Sequence, residues 1–309
     1  MSETPPRTDV YFGGQAVIEG VMIRAPQHMA IAVRAPSGEI VRHTEKLTGF
    51  TTGPLRRIPL VRGAVVLWET LSLGMRAINY SSRITIEGLE KEDQEAEEPE
   101  FEEVSDAAMW GSIALGIAFA VAVFFVGPVL LANLLESQGI ARAGVVVIEA
   151  VLRLVLFVGY IALIGLMPDI RRVFQYHGAE HMTIHAYEKA RSLTVTAIRD
   201  LPKEHTRCGT SFLVVVITIA LVVFLAFDLL VDQGIFVRMA SRIVLLPPIA
   251  GISYEVLRLG ARYESNPLVR TMFIPNIALQ ALTTRVPDDE QIEVAIAAFE
   301  TALESATEE

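Results

Sequence analysis

QYHGAEHMTIHAYE, residues 175–188, is the stretch around which the rest of the chain is organised, with two long apolar segments before it and two after it. Three of the six histidines of the protein fall within nine of its residues, at His177, His181 and His185. A spacing of four residues places them along one face of an α-helix. The stretch therefore predicts a helix that presents three histidines on one side, beside a membrane domain.

The same stretch contains a pattern found in zinc peptidases. His177, Glu180 and His181 match the H-x-x-E-H pattern of the inverted zinc peptidases, in which the histidines bind the metal and the glutamate activates its water. One ion cannot bind all three histidines, because His177 and His185 would lie about 12 Å apart along a helix axis. Two pairings remain open: His177 with His181 and Glu180 as base, or His181 with His185 and Glu188 close by. A solvated polar helix face would show the same spacing.

The composition indicates a membrane protein. The chain has 309 residues, 52% of them hydrophobic, and a mean hydropathy of +0.43. These values are too apolar for an ordinary soluble domain and predict two or more membrane spans. Four apolar segments are long enough to be candidate spans: residues 109–135, 145–167, 211–231 and 235–259.

The predicted fold class is a mainly α polytopic membrane protein, with four transmembrane helices, a small β-containing cytoplasmic N-terminal domain and a helical C-terminal tail. Two strands are predicted, at residues 29–35 and 39–45, because a Pro-Ser-Gly turn joins two strand-like runs. The predicted domains are a small β-rich domain (1–57), an interfacial or bundle-packed amphipathic helix (58–86), an acidic disordered linker (87–107), a four-helix membrane domain (108–260) with a cytoplasmic histidine-rich loop (168–210), and a cytoplasmic tail (261–309).

The negative charge of the chain is concentrated in one segment. The formal net charge is −10, and residues 87–106 hold eleven acidic residues against the single base Lys91. This density predicts a linker without fixed structure and without a catalytic part. No concentrated basic surface is present, so no nucleic-acid partner is expected. The single cysteine, Cys208, excludes an intrachain disulfide framework.

Lysine and arginine placement predicts the orientation in the membrane. Eleven of these residues precede the first span, seven lie in the loop 168–210 and four lie beyond residue 257, whereas the connection 136–144 has one. The positive-inside rule then places both termini and the histidine loop in the cytoplasm, in a multi-pass protein of the cell membrane.

Several charged residues interrupt the apolar segments, and each receives an interpretation. Arg62, Glu69 and Arg76 recur every seven residues, which favours an interfacial or bundle-packed helix over a span. Glu149 can pair with Arg153 on the same helix, and Asp228 at the outer end of the third span is expected to be hydrated. The prolines at 247 and 248 are expected to kink the fourth span.

A third metal ligand is needed, because catalytic zinc sites use three protein ligands and keep one open position. Glu255 is the expected third ligand beside His177 and His181, since it is long, acidic and on the cytoplasmic side. Glu188, His205 and Cys208 could each take its place.

The order of several segments resembles a known family. These segments are GGQAVIEGVMIRAP near the start, FQYHGAEHMTIHAYE, HTRCGTSFL, LLPPIAGISYEVLRL and LTTRVPDDEQIEVAI. The set resembles the bacterial membrane proteins called DUF1385 or YqhQ-like, over roughly residues 11–85 and 168–299. The resemblance implies a location in the bacterial inner membrane and a metal-dependent enzyme, and it supplies no reaction.

Two functions remain open at this point. In the first, the protein is a hydrolase at the cytoplasmic face that uses a divalent metal, zinc by expectation, with the bilayer and a peptide or lipid-linked substrate as its partners. Glu180 would be the base, and the metal would polarise a carbonyl or phosphoryl group. In the second, the protein is a non-catalytic membrane regulator or scaffold, with a structural metal or none. The sequence favours the first because a structural site needs no acid between its ligands.

Overall fold

The computed structural model describes residues 12–47, 58–93, 106–205, 208–231, 234–263 and 266–307. Four strands form one antiparallel sheet in chain order, with the bounds β1 Gly13–Val17, β2 Gly20–Arg24, β3 His28–Arg34 and β4 Ile40–Lys46. The helices in these residues are α1 Val61–Asp93, α2 Asp106–Val121, a π-helical segment Ala122–Val126, α3 Gly127–Ser137, α4 Arg142–Ile164, α5 Pro168–Glu188, α6 Val195–Ile198, α7 Gly209–Leu230, α8 Ile235–Val244, α9 Leu246–Arg262, α10 Pro267–Met272, α11 Ile274–Thr283 and α12 Asp289–Thr307.

The two predicted strands are confirmed as β3 and β4, and two further strands precede them. β1 and β2 pair in register from Gly13 opposite Arg24 to Val17 opposite Gly20. Neither strand was predicted, because the glycines at 13, 14 and 20 disfavour strands and hide the alternation of the side chains. The strands form there because cross-strand pairing and burial on both faces outweigh the low local propensity.

The sheet is the middle layer of a three-layer unit. Side chains of alternate residues point to opposite faces of a strand. Ala30 and Ala32 of β3 accordingly belong to the core under α5 and α12. Met29 and Ile31 belong to a second core under α1. The small β domain is therefore completed by helices that are distant in sequence.

α5 begins directly after the apolar helix α4 and lies on the sheet. Pro168 occupies its first turn together with Asp169, a favourable start for a helix. Its first half is bound to the β1–β2 turn by the Glu19 carboxylate, which accepts hydrogen bonds from Arg172 and, at 3.2 Å, from the Tyr176 hydroxyl. These contacts orient α5 so that one face is buried on the sheet and the next face carries the histidines.

The C-terminal helix was predicted from its apolar stripe, and the structure contains it as α12. Asp288 and Gln291 form a reciprocal cap at its start, with each backbone N–H donating to the other side chain, at 3.0 and 2.8 Å. Ile292 and Phe299 are buried in the core that α12 shares with α5 and the sheet. Residues 289–307 are thus one layer of the β unit and not a separate tail.

α1 connects the β unit with the apolar helices through the three charges that recur every seven residues. Arg62 pairs with Glu255 on α9, Glu69 with Arg24 on β2, and Arg76 with Glu45 on β4. The helix continues to Asp93, so the first seven residues of the predicted linker are helical. Residues 94–105 of that linker lie outside the described ranges.

Three helical segments are long and apolar enough to cross a membrane: Ala114–Ser137, Arg142–Ile164 and Phe212–Leu230. A fourth candidate is the pair Ile235–Val244 and Leu246–Gly260, which is bent by 44°. Because Pro247 and Pro248 have no N–H to donate to the preceding turn, the helix breaks there as the sequence predicted. The mainly helical fold with several apolar helices and a small sheet is confirmed.

Charged side chains form a buried network between α4, α7 and α8, here called the span network: Glu149, Arg153, Asp228, Arg238 and Arg242. Glu149 pairs with Arg153, as predicted, and also with both arginines of α8. The prediction that Asp228 is simply hydrated is wrong, because its side chain is only 2% exposed and it pairs with Arg242. The sequence gives no sign of this pairing, since the two partner arginines lie on another helix.

Candidate metal site

The histidine face of α5 lies against residues 203–205 and against Cys208. The loop carbonyl of Lys203 accepts a hydrogen bond from His181, and the carbonyl of Glu204 accepts one from His185. At the other end Cys208 lies 3.2 Å from Nε2 of His177. The helix and the loop together bring histidines and the cysteine into one buried region.

His177, His181 and Cys208 form the first group, here called the HHC group. One ligand atom of each residue lies within 4.8 Å of the other two. Tetrahedral zinc with bonds of about 2.0–2.3 Å places its ligand atoms about 3.4–3.8 Å apart. Small rotations of these side chains would therefore suffice to bind one ion.

Hydrogen bonds to backbone carbonyls determine which nitrogen of each ring is free. Nδ1 of His177 donates to the Thr283 carbonyl at 2.9 Å, and Nδ1 of His181 donates to the Lys203 carbonyl at 2.6 Å. Because a carbonyl can only accept, both rings carry their proton on Nδ1 and a lone pair on Nε2. Carbonyl partners of this kind orient the histidine ligands of metal sites in general.

The lone pair of His181 is the most telling feature of the HHC group. The residue is 1% exposed, and its Nε2 is buried without a hydrogen bond in the described part of the chain. Burial also lowers the pKa of His181, against the opposing effect of the neighbouring Cys208 thiol, and this direction favours the neutral imidazole that can ligate a metal. A buried acceptor without a donor costs about 1–3 kcal/mol, and a metal ion would remove this cost.

Glu180 lies beside the HHC group on the next face of α5, packed against the sheet. A side chain at Gly14 would put its Cβ 2.6 Å from the Glu180 carboxylate, so the carboxyl occupies the space that this glycine leaves open. Glu180 is 4% exposed, and burial raises the pKa of its carboxyl, while His177 and His205 oppose that shift. The acid between the two histidines is therefore buried and held next to β1.

Glu255, the expected third ligand, belongs to neither histidine group among the described residues. Its carboxylate accepts hydrogen bonds from Arg62 Nε at 2.6 Å and from the backbone N–H of Leu60 at 3.2 Å. It therefore joins α9 to the start of α1, where a carboxylate also interacts well with the helix dipole. Cys208, one of the alternatives for the third position, lies beside the two histidines instead.

His205 and Glu188 form a second group with His185, here called the HEH group. One ligand atom of each residue again lies within 4.8 Å of the ligand atoms of the two remaining residues. A carboxylate oxygen of Glu188 lies 3.1 Å from Nε2 of His205. The six candidate ligands apart from Glu255 thus separate into two triads, in which His181 lies with His177, and His185 lies with His205 and not with His181.

Three residues that support the site carry no recognisable signal in the sequence. Gln280 of α11 is fully buried and holds the His205 backbone by two hydrogen bonds, of 2.9 and 2.8 Å. Gly14 makes room for Glu180, and Gly178 lets the backbone of Arg285 cross close over α5. Their roles depend on chain segments that are far apart in sequence, so only the folded arrangement identifies them.

Comparison with known proteins identifies the family. The model of the family described as "Protein of unknown function (DUF1385)" matches residues 58–305. The chain belongs to the DUF1385 family. It is also 35% identical to "Uncharacterized protein YqhQ" of Bacillus subtilis (strain 168), over 302 residues that cover 94% of this chain and 92% of that protein. No solved structure matches the chain.

The extent of the match shows which parts DUF1385 members share with this chain. The matched range begins at the turn before α1 and includes both histidine groups, the span network and all but the end of α12. The strands lie before that range. The alignment with YqhQ covers 94% of the chain, so it must also include most of the strands. The resemblance noted from the sequence segments is confirmed, and the family assigns no activity.

Proposed function

We propose that this DUF1385 protein is a metal-dependent membrane enzyme, a hydrolase whose site lies at the cytoplasmic face. The observation that carries the proposal is the buried Nε2 of His181, whose lone pair makes no hydrogen bond within the described residues and which lies with His177 and Cys208. Two imidazoles and one sulfur suit zinc, and three protein ligands leave its fourth position open.

Each residue of the HHC group has a defined task in this proposal. His177 and His181 would bind the metal ion through Nε2, while the backbone carbonyls that accept from Nδ1 keep their rings in place. Cys208 would bind the ion as a thiolate. Glu180 takes the proton of the attacking water and returns it to the leaving group. A bound zinc would supply Lewis acidity for a scissile carbonyl or phosphoryl group.

The location of the site favours a peptide or a lipid-linked molecule as substrate. α5 starts four residues after the apolar helix α4 ends, and the loop at 203–208 leads directly into the apolar helix α7. A site held between these two helices lies near a membrane surface, because α4 and α7 are long and apolar enough to span. Substrates attached to the bilayer would reach it without leaving the membrane.

The decisive experiment separates metal binding from catalysis. Purified protein without a histidine tag is analysed for zinc and assayed with fluorogenic peptides and with lipid-linked phosphoesters. Glu180→Gln should keep the zinc and lose hydrolysis, whereas His181→Ala should lose one equivalent of zinc. Unchanged zinc in His181→Ala would end the proposal.

A structural metal in a scaffold protein is the second candidate. The HHC group connects α5 with the start of α7, and its histidines are bonded to a loop and to α11. A metal there would fix these segments to one another, as structural zinc sites do. In that case Glu180→Gln changes nothing, no substrate is hydrolysed by the wild type, and zinc removal only lowers stability.

The proposed cytoplasmic location is tested by reporter fusions. The lysine and arginine asymmetry places a reporter after residue 135 outside, and reporters after residue 167 and at the C-terminus inside. The bent pair α8–α9 must then cross as one broken span, since otherwise the C-terminus would change sides. A C-terminal reporter outside the cell would contradict this topology and the location of the site.

A further inference from the structure

The structure assigns a second divalent-cation site to the HEH group, His185, Glu188 and His205, one helical turn or more beyond the HHC group. This inference goes beyond the proposed function, because it names a separate ion with its own ligands. Two imidazoles and one carboxylate are a ligand set that zinc uses in proteins, and the related set of two histidines and a carboxylate also suits other transition metals.

The His185 ring is fixed by the backbone, and His205 is bonded to Glu188, so a bound ion would replace the proton that Nε2 of His205 shares with that carboxylate. His185 donates from Nε2 to the Glu204 carbonyl at 2.8 Å, so its Nδ1 keeps the lone pair. Burial lowers the pKa of His185, in the direction of the neutral ring. The rings of His185 and His205 lie 4.5 Å apart, centre to centre, with Glu188 beside them.

His205 is held in place by an unusually complete set of contacts. Gln280 accepts a hydrogen bond from its N–H and donates one to its carbonyl, so both amide atoms of a fully buried glutamine are used on one residue. His205 itself is 5% exposed. A backbone held in this way presents the ring at a defined position, which is what a metal site requires of its ligands.

The second site is accessible and separate from the first. The Glu188 side chain is 30% exposed, so an ion can enter from solvent. The ring centres of His181 and His205, one from each group, lie 5.8 Å apart, so the two groups are neighbours. Each group nevertheless has three ligands of its own, so two ions would not need to share one. The protein would hold two single ions along one helix face.

The position of the HEH group suggests what the second ion does. It would tie the last turn of α5 to His205, three residues before Cys208 in the same loop. Because Cys208 is a ligand of the HHC group, an ion at the HEH group would hold the loop that delivers this sulfur. The second site would therefore be a positioning site for the first.

The test is the zinc stoichiometry of the full-length protein in detergent, purified without a histidine tag and titrated with Zn²⁺ alone. We expect two equivalents in the wild type and one in His185→Ala and in Glu188→Gln. The Glu188 variant keeps its size and hydrogen-bonding oxygen, so it guards against misfolding in the alanine variant. His43→Ala, which removes an exposed histidine of β4 remote from both groups, should keep two.

The outcomes separate this inference from the proposed function. Loss of one equivalent in His181→Ala with no loss in His185→Ala and Glu188→Gln overturns the second site and leaves the first. Loss of one equivalent in the HEH variants with no loss in His181→Ala overturns the first site and leaves the second. If the ion positions Cys208, the HEH variants should also bind the remaining zinc at least about tenfold more weakly, which is about 1.4 kcal/mol.

Discussion

The HHC group and the span network are both buried polar clusters, and they differ in how their charges and lone pairs are matched. In the span network three arginines face three carboxylates, counting Glu136, which lies 3.6 Å from Arg238 at the edge. Both buried carboxylates receive guanidinium groups from another helix. In the HHC group the ring protons go to carbonyls, and the buried Nε2 of His181 makes no hydrogen bond among the described residues.

The difference indicates different tasks. The charges of the span network neutralise one another, although the Nε atoms of Arg238 and Arg242 make no hydrogen bond among the described residues. Such a network can hold helices together in an apolar environment where an unpaired charge is costly. A cluster of lone pairs directed at one another is incomplete by itself, because nitrogen and sulfur acceptors repel unless a proton or a cation lies between them. We therefore expect the span network to control stability and the HHC group to control binding.

The largest expected effect is the loss of Glu149. Glu149→Leu removes the carboxylate that pairs with three arginines and leaves their charge buried, which should cost about 3–5 kcal/mol of unfolding free energy. Denaturant unfolding in detergent measures the loss. Glu136→Gln is the matched control at the exposed edge of the network, and it should cost much less.

That variant also tests the division of tasks. Folded Glu149→Leu protein should still bind zinc as the wild type does, since its network contains no histidine or cysteine. Loss of zinc from correctly folded Glu149→Leu would show that the two clusters are coupled.

The next effect is stabilisation by zinc. Zinc at a hundred times its dissociation constant should raise the unfolding free energy by about 2.7 kcal/mol for each site that binds only the folded protein. His181→Ala should lose the part of this stabilisation that comes from zinc at the HHC group. The measurement is thermal unfolding with zinc and with a chelator, and equal curves for wild type under both conditions would refute metal binding.

A smaller effect is expected from Gly14→Ala. The new Cβ would lie 2.6 Å from the Glu180 carboxylate, so Glu180 must move. We expect a loss of about 1–2 kcal/mol from overpacking, unchanged zinc content, and hydrolysis reduced nearly as far as in Glu180→Gln. Full hydrolysis in Gly14→Ala would mean that the position of Glu180 is unimportant.

The smallest effect is expected at an exposed ion pair. Arg83 and Glu87 on α1 are 4.0 Å apart and 72% and 56% exposed. Arg83→Ala should change the unfolding free energy by less than about 0.5 kcal/mol, because water screens such pairs. A loss as large as that of Glu149→Leu would contradict the view that burial makes the span network important.

Local patterns led to correct expectations for the apolar helices, for β3 and β4, for the histidine helix and for α12. In each case the signal is a periodicity within one segment, which burial of one face imposes on neighbouring residues. The bend before Pro247 followed in the same way from the missing N–H of proline.

The expectations that failed concern partners from distant segments. Glu255 was expected to reach the histidines, yet it binds Arg62. Asp228 was expected to be hydrated, yet Arg242 of another helix covers it. A carboxylate in a sequence gives no indication of which cation it will meet, because that depends on how helices pack.

The sequence by itself determined that the chain is a largely helical protein with apolar, span-length segments, and that three histidines share one helix face. Only the tertiary structure decided that Cys208 lies beside His177 and His181, that Gln280 holds His205, and that α5 and α12 complete the β unit. The physical reason is the range of the interactions. Periodicity and caps act within a few residues, whereas a ligand set or a core is assembled from segments whose contacts exist only once the chain has folded.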